Sequence, residues 1–122
     1  MKPVLAITRR LPEAVEKRAR ESYDLRMQDG DDPLSRDQIL DLCKDANAAL
    51  VSVGDPIDAA FFAALPQKVG IIATFSVGTD HIDLAAAKAN GFVIGNTPGV
   101  LTDATADIAW LLILGAARRA SE

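Results

Sequence analysis

The sequence predicts an α/β protein of the flavodoxin-like or Rossmann-like class: a doubly wound parallel sheet of about five strands, followed by a long apolar C-terminal helix. Three observations carry that prediction. Strand-like and helix-like segments alternate along the whole chain, as repeated β-α-β units require. The strand candidates are short apolar runs almost free of charge, as expected of strands buried on both faces. Residues that start and stop helices fall between those runs.

Each element has its own justification. Val4–Thr8 is an apolar run and the first strand. Pro12 sits where a first-turn proline belongs, and Leu11, Val15, Ala19 and Tyr23 recur every four residues, predicting one buried helical face. Asp24–Gln28 is a weak second strand, and Gly30-Asp31-Asp32-Pro33 a turn. Ser35 with Gln38 forms a capping box, and Leu34 with Ile39 a hydrophobic staple, predicting a helix over 36–45. Ala48–Val53 is a strand ended by Gly54-Asp55-Pro56; Asp58 then caps a short helix that Pro66 closes. Val69–Phe75 is the clearest strand, β-branched and aromatic with no charge. Asp83 caps a helix over Leu84–Asn90, Gly91 supplies its left-handed end, and Phe92–Gly95 is a fifth strand. A last helix starts near Thr102 or Asp103, where Asp103 and Asp107 suit the positive end, and finishes at Arg118-Arg119.

Composition excludes several classes. With 122 residues, 49% hydrophobic and 25% charged, the chain has the length and composition of one globular domain. A net charge of -4, with no Lys/Arg run longer than two, argues against a nucleic-acid partner. Residues 1–45 carry nine basic and ten acidic side chains, and residues 46–122 only four and seven. The second part is thus the more buried, or buries itself against another surface. The run Ile108–Ala117 is half the roughly 20 residues a membrane span needs, so no membrane partner is expected and the cytoplasm is the default compartment. Cys43 is alone, which fits a reducing compartment, and its place beside Leu42 and Ala46 reads as core packing.

Ligands of open α/β sheets lie beyond the carboxyl ends of the strands. Three loops occupy that edge: Val53-Gly54-Asp55, Ser76-Val77-Gly78-Thr79-Asp80 and Asn96-Thr97-Pro98-Gly99. The middle loop is the strongest candidate, because consecutive backbone N–H groups ahead of a helix can hold an anion such as a carboxylate. An ordinary strand-to-helix turn has the same composition. His81 reads as packing or hydrogen bonding at a helix start, Asp83 as a cap, and no cluster has metal-ligand spacing. No Gly-x-Gly-x-x-Gly occurs; Gly91, Gly95 and Gly99 have the wrong spacing.

The stretch from Ser76 to Arg119 resembles D-2-hydroxyacid dehydrogenases where the substrate-binding domain passes into the nucleotide-binding domain. The matching pieces are Ser76-Val77-Gly78-Thr79-Asp80-His81-Ile82-Asp83, Asn96-Thr97-Pro98 and Val100-Leu101-Thr102-Asp103-Ala104-Thr105-Ala106-Asp107. The glyoxylate/hydroxypyruvate reductase branch is nearest in appearance. The resemblance implies that Val77 and Gly78 hold a 2-oxo acid carboxylate through backbone amides, that Val53 and Gly54 approach the same substrate, and that Thr102 lies near NAD or NADP. It also implies that Asn96-Thr97-Pro98 forms part of the crossover between domains. Residues 1–100 would be the N-terminal part of the substrate-binding domain. Residues 101–122 would be an interdomain helix, with helix 102–119 forming a homodimer contact. The family's catalytic Arg, Glu and His have no counterpart in these residues, so the expectation is an inactive segment of an NAD(P)-dependent reductase of small 2-oxo acids. A stand-alone small-acid-binding or regulatory module is the alternative. A phosphoacceptor receiver is disfavoured, because Thr8-Arg9-Arg10 stands where its acidic pair would be.

Overall fold

The computed structural model describes residues 1–122. Its elements are β1 (Val4–Ile7), α1 (Glu13–Ser22), β2 (Asp24–Met27), α2 (Arg36–Cys43), β3 (Ala48–Val51), α3 (Ala59–Ala64), β4 (Ile71–Thr74), α4 (Leu84–Ala89), β5 (Val93–Gly95) and α5 (Thr102–Ala117). All strand pairs are parallel and the sheet order is β2-β1-β3-β4-β5, the flavodoxin order. Right-handed crossovers put α2, α3 and α4 on one face and α1 on the other, because the direction of winding reverses after β2.

The α2–α4 face holds the core. Ala6, Ala49, Val51 and Ile72 from the strands meet Ile39, Cys43, Phe61, Phe62 and Ala87 from the helices, all buried. Phe62 packs between Phe61 and Phe92, at centroid separations of 5.7 and 5.6 Å. The opposite face is only partly covered. Ile71 and Val93 are register partners on adjacent strands, and both are exposed. Burial of the strands on both sides, expected from their apolar character, therefore holds for β1, where Ala6 and Ile7 are both buried, and fails at β4 and β5.

The helix caps follow local chemistry. The Ser35 hydroxyl accepts from the Gln38 N–H while the Gln38 side chain accepts from the Ser35 N–H. Asp58 accepts from the Phe61 N–H and pairs with Arg36; Asp83 accepts from the Ala86 N–H. At the end of α4, the Gly91 N–H donates to Lys88 O and the Phe92 N–H to Ala87 O, with Gly91 at φ 78°. That double bond makes Phe92 part of the helix cap, which is why β5 begins at Val93 and not at Phe92. The strand expected over Val69–Phe75 shortens to Ile71–Thr74 because the Val69 N–H turns back to Pro66 O.

One expectation about a helix face is corrected. In α1 the expected apolar face is not buried: Val15 and Tyr23 are exposed, and the one buried residue is Glu16. Its carboxylate accepts from the Leu11 N–H and from Arg10, so it turns inward to hold the β1–α1 loop. Pro12 accordingly occupies the cap position, one residue before the helix. The second part of the chain was also expected to be the more buried or to bury itself against another surface, and within this chain no residue of α5 is buried. Gly99, just before this helix, adopts φ 77°, a conformation that favours glycine.

Candidate functional site

The parallel strands bring the three candidate loops to one edge. The loop after β3 is locked to β1: the Thr8 hydroxyl donates to Asp55 Oδ2 at 2.5 Å, and the Ser52 N–H donates to the same oxygen at 2.7 Å. Thr8 and Asp55 are both buried. Gly54 adopts φ 98°, which favours glycine, and Val53 is exposed. The Asp83 N–H bonds Ile57 O at 2.9 Å, and Ile57 and Ile82 form a parallel bridge, so the loops after β3 and β4 are tied together.

In the loop after β4, four successive carbonyls are accounted for. Ser76 O accepts from the Thr97 N–H at 3.0 Å, Val77 O from Asn96 Nδ2 at 2.8 Å, Gly78 O from the Ser76 hydroxyl at 2.8 Å, and Thr79 O from the Ile82 N–H at 2.9 Å. The N–H groups of Val77, Gly78 and Thr79 donate to no acceptor of the protein. Three adjacent amides with donors free and carbonyls occupied offer partial positive charge to an anion. Gly78 has an ordinary φ, and a Cβ there would meet only Asp80 Oδ2 at 3.7 Å. The fold therefore tolerates a side chain at position 78. Asp80 places negative charge on one flank of this loop.

On another flank an open groove is lined by Val77, Leu101, Thr102, Thr105, Ala106 and Ala109. Val77 and Thr102, singled out for substrate and cofactor respectively, thus share one surface, whereas Val53 and Gly54 lie outside it on the same edge. Sequence reasoning discounted His81 as a helix-start residue. The structure gives it a partner at the end of β4, with Nε2 2.9 Å from Thr74 Oγ1. Thr74, Thr8 and Asp55 were missed as supports of the edge, since hydroxyls near strand ends and an acidic turn residue carry no sequence signal. Cys43 is fully buried, and burial pushes its thiol up to about 11, in keeping with core packing. No three His, Cys, Asp or Glu side chains gather as metal ligands, and no helix is long and apolar enough to cross a membrane.

Fold and edge together define a flavodoxin-like α/β domain that presents free backbone amides at its carboxyl edge. The chain belongs to the D-isomer specific 2-hydroxyacid dehydrogenase family, whose catalytic-domain model matches residues 5–120. It is 44% identical over 122 residues to a glycerate dehydrogenase of Hyphomicrobium methylovorum, covering 99% of this chain and 38% of that protein. To a glyoxylate reductase of Thermococcus onnurineus it is 41% identical over 122 residues, covering all of this chain and 36% of that one. Among solved structures, an NADPH-dependent glyoxylate/hydroxypyruvate reductase from Sinorhizobium meliloti, in complex with NADP and malonate, superposes with a TM-score of 0.73. Its identity is 28%, over 94% of this chain and 34% of that one. The chain therefore spans little more than a third of the length of the relatives it matches.

Proposed function

We propose that this chain is the substrate-side part of an NAD(P)-dependent oxidoreductase that reduces small 2-oxo acids of the glyoxylate and hydroxypyruvate type to D-2-hydroxy acids. The observation that carries the reading is the row of free amides at Val77, Gly78 and Thr79. A carboxylate held there directs the adjacent oxo carbon toward the groove that Val77 shares with Thr102. Asp80 repels an anion from its own flank, which favours approach from the groove side. The loop at Val53 and Gly54, anchored through Asp55, closes the substrate from the β3 side.

The groove residues fit a nicotinamide: the Ala106, Ala109 and Leu101 side chains give a flat apolar wall, and the Thr102 hydroxyl offers a polar contact. When bound, that cofactor supplies the hydride. Residues 1–100 serve as the N-terminal part of the substrate-binding domain, and residues 101–122 as the helix that meets a nucleotide-binding domain and a second subunit. The exposed strip of Ile71 and Val93 and the uncovered α5 support this division, because apolar surface of this extent is normally covered.

The test has two parts. Titrating the chain with glyoxylate should shift the backbone amide signals of Val77, Gly78 and Thr79; unchanged signals at millimolar acid would sink the substrate assignment. A small-acid-binding module would use the same amides, so binding alone does not establish reduction. Joined to a nucleotide-binding domain of the family, the chain should support oxidation of NADH or NADPH by glyoxylate or hydroxypyruvate, whereas residues 1–122 alone should not.

A further inference from the structure

We infer that His81 is a positioning residue, which orients the Thr79 amide of the loop after β4 through a one-way chain of hydrogen bonds. The direction of that chain follows from counting hydrogens. The Gly78 carbonyl can only accept, so the Ser76 hydroxyl spends its single hydrogen on it, at 2.8 Å. Ser76 Oγ lies 2.6 Å from Thr74 Oγ1, so the hydrogen between them must come from Thr74. Thr74 then has none left, and its contact with His81 Nε2 at 2.9 Å requires that nitrogen to carry the hydrogen. The sequence is His81 Nε2–H to Thr74, Thr74 to Ser76, and Ser76 to the carbonyl of Gly78.

Such a chain is cooperative, each donor polarised by the one before it. It begins on a helix-side residue and includes a buried strand hydroxyl, Thr74, so it is anchored in the core. It ends on the peptide that joins Gly78 to Thr79. Holding that carbonyl toward Ser76 holds the Thr79 N–H on the opposite side of the same rigid peptide plane. Asn96 does the same for the Val77 carbonyl and thus for the Gly78 N–H. His81 acts through Thr74 and Ser76 and touches no reacting atom.

This inference rests on the carboxylate reading above, and its test separates the two. Long-range proton–nitrogen correlation spectra of the neutral imidazole in this chain should show the Nε2–H tautomer. An Nδ1–H tautomer would overturn the chain whatever the acid does. Glyoxylate affinity, read from the amides of residues 77–79, should fall about tenfold in His81→Ala, the scale of one hydrogen bond. It should recover to within about twofold in His81→Gln, whose amide can donate in place of Nε2–H. Equal losses in both variants, or no loss in His81→Ala, would refute the positioning role, and thermal melts of each variant identify any that fails to fold. If the wild-type ring is the Nε2–H tautomer and no acid shifts the amides, the carboxylate reading falls, and the positioning role with it.

Discussion

Thr8 and Asp55 join across the carboxyl edge of the sheet, hydroxyl to carboxylate at 2.5 Å, between β1 and the loop that follows β3. These strands are neighbours although the chain visits β2 between them, so the contact lies at the topological switch point of the sheet. Both residues are buried. Thr8→Val removes the donor and leaves the carboxylate held mainly by the Ser52 N–H. The expected loss is about 1–3 kcal/mol in chemical denaturation, with recovery in Thr8→Ser. A Thr8→Val protein as stable as wild type would show that the contact does not hold the loop.

Gly78 and Gly54 should respond in opposite ways. A side chain at 78 meets only Asp80 Oδ2 at an ordinary distance, whereas Gly54 sits at φ 98°. In an active dehydrogenase containing this chain, Gly78→Val should raise KM for the 2-oxo acid about tenfold or more, with cofactor affinity and melting temperature little changed. Gly54→Ala should instead destabilise the fold by about 1 kcal/mol or more through backbone strain. An unchanged KM in a folded Gly78→Val protein would remove the loop from the substrate site.

Acid should weaken the fold through carboxylates held ionised. The Leu11 N–H, helped by Arg10 and Arg20, holds Glu16 below the usual carboxylate range. Arg9 and the Arg10 N–H bring Asp31 down to about 2. Because both values are lowered in the folded state, their stabilisation is complete above about pH 4–5 and fades as pH falls toward the folded values. Asp31 is half exposed, so added salt should diminish its share while leaving that of buried Glu16. Thermal melts between pH 6 and 2 should show a shallower acid slope in Glu16→Gln; a slope equal to that of wild type contradicts the assignment.

The thiol of Cys43 should be silent in the native protein. Burial raises it to about 11 and closes access, so a thiol reagent at mildly alkaline pH should react only after denaturant is added. Rapid labelling of the folded chain would mean that α2 opens readily.

Helix α5 should bring two chains together. Trp110, Leu111, Leu112 and Ile113 are each more than half exposed, on every side of the helix. Light scattering at micromolar concentration should report a dimer or larger assembly, and Trp110→Glu should loosen it or make the protein insoluble. A well-behaved monomer would refute the homodimer proposal.

The sequence by itself determined the parallel α/β class, the alternation of elements and the caps at Ser35, Asp58, Asp83 and Gly91. Each of these depends on residues within a few positions of one another, where local hydrogen bonding and backbone preference decide the outcome. The family was legible too, in the unbroken run from Ser76 to Arg119. Only the tertiary structure decided the strand order, the burial of Glu16 in place of Val15, and the bare surface of α5. Each depends on what the chain meets after folding: Glu16 turns inward for the Leu11 N–H and Arg10, and α5 finds no surface of this chain that buries it. The candidate site divides along the same line. Val77 and Gly78 could be named from their motif, but the peptide planes that carry the loop's amides are fixed by Thr97, Asn96 and Ser76, which bond the carbonyls of Ser76, Val77 and Gly78. Two of those donors come from the far side of α4 and β5, a distance along the chain that no local pattern spans.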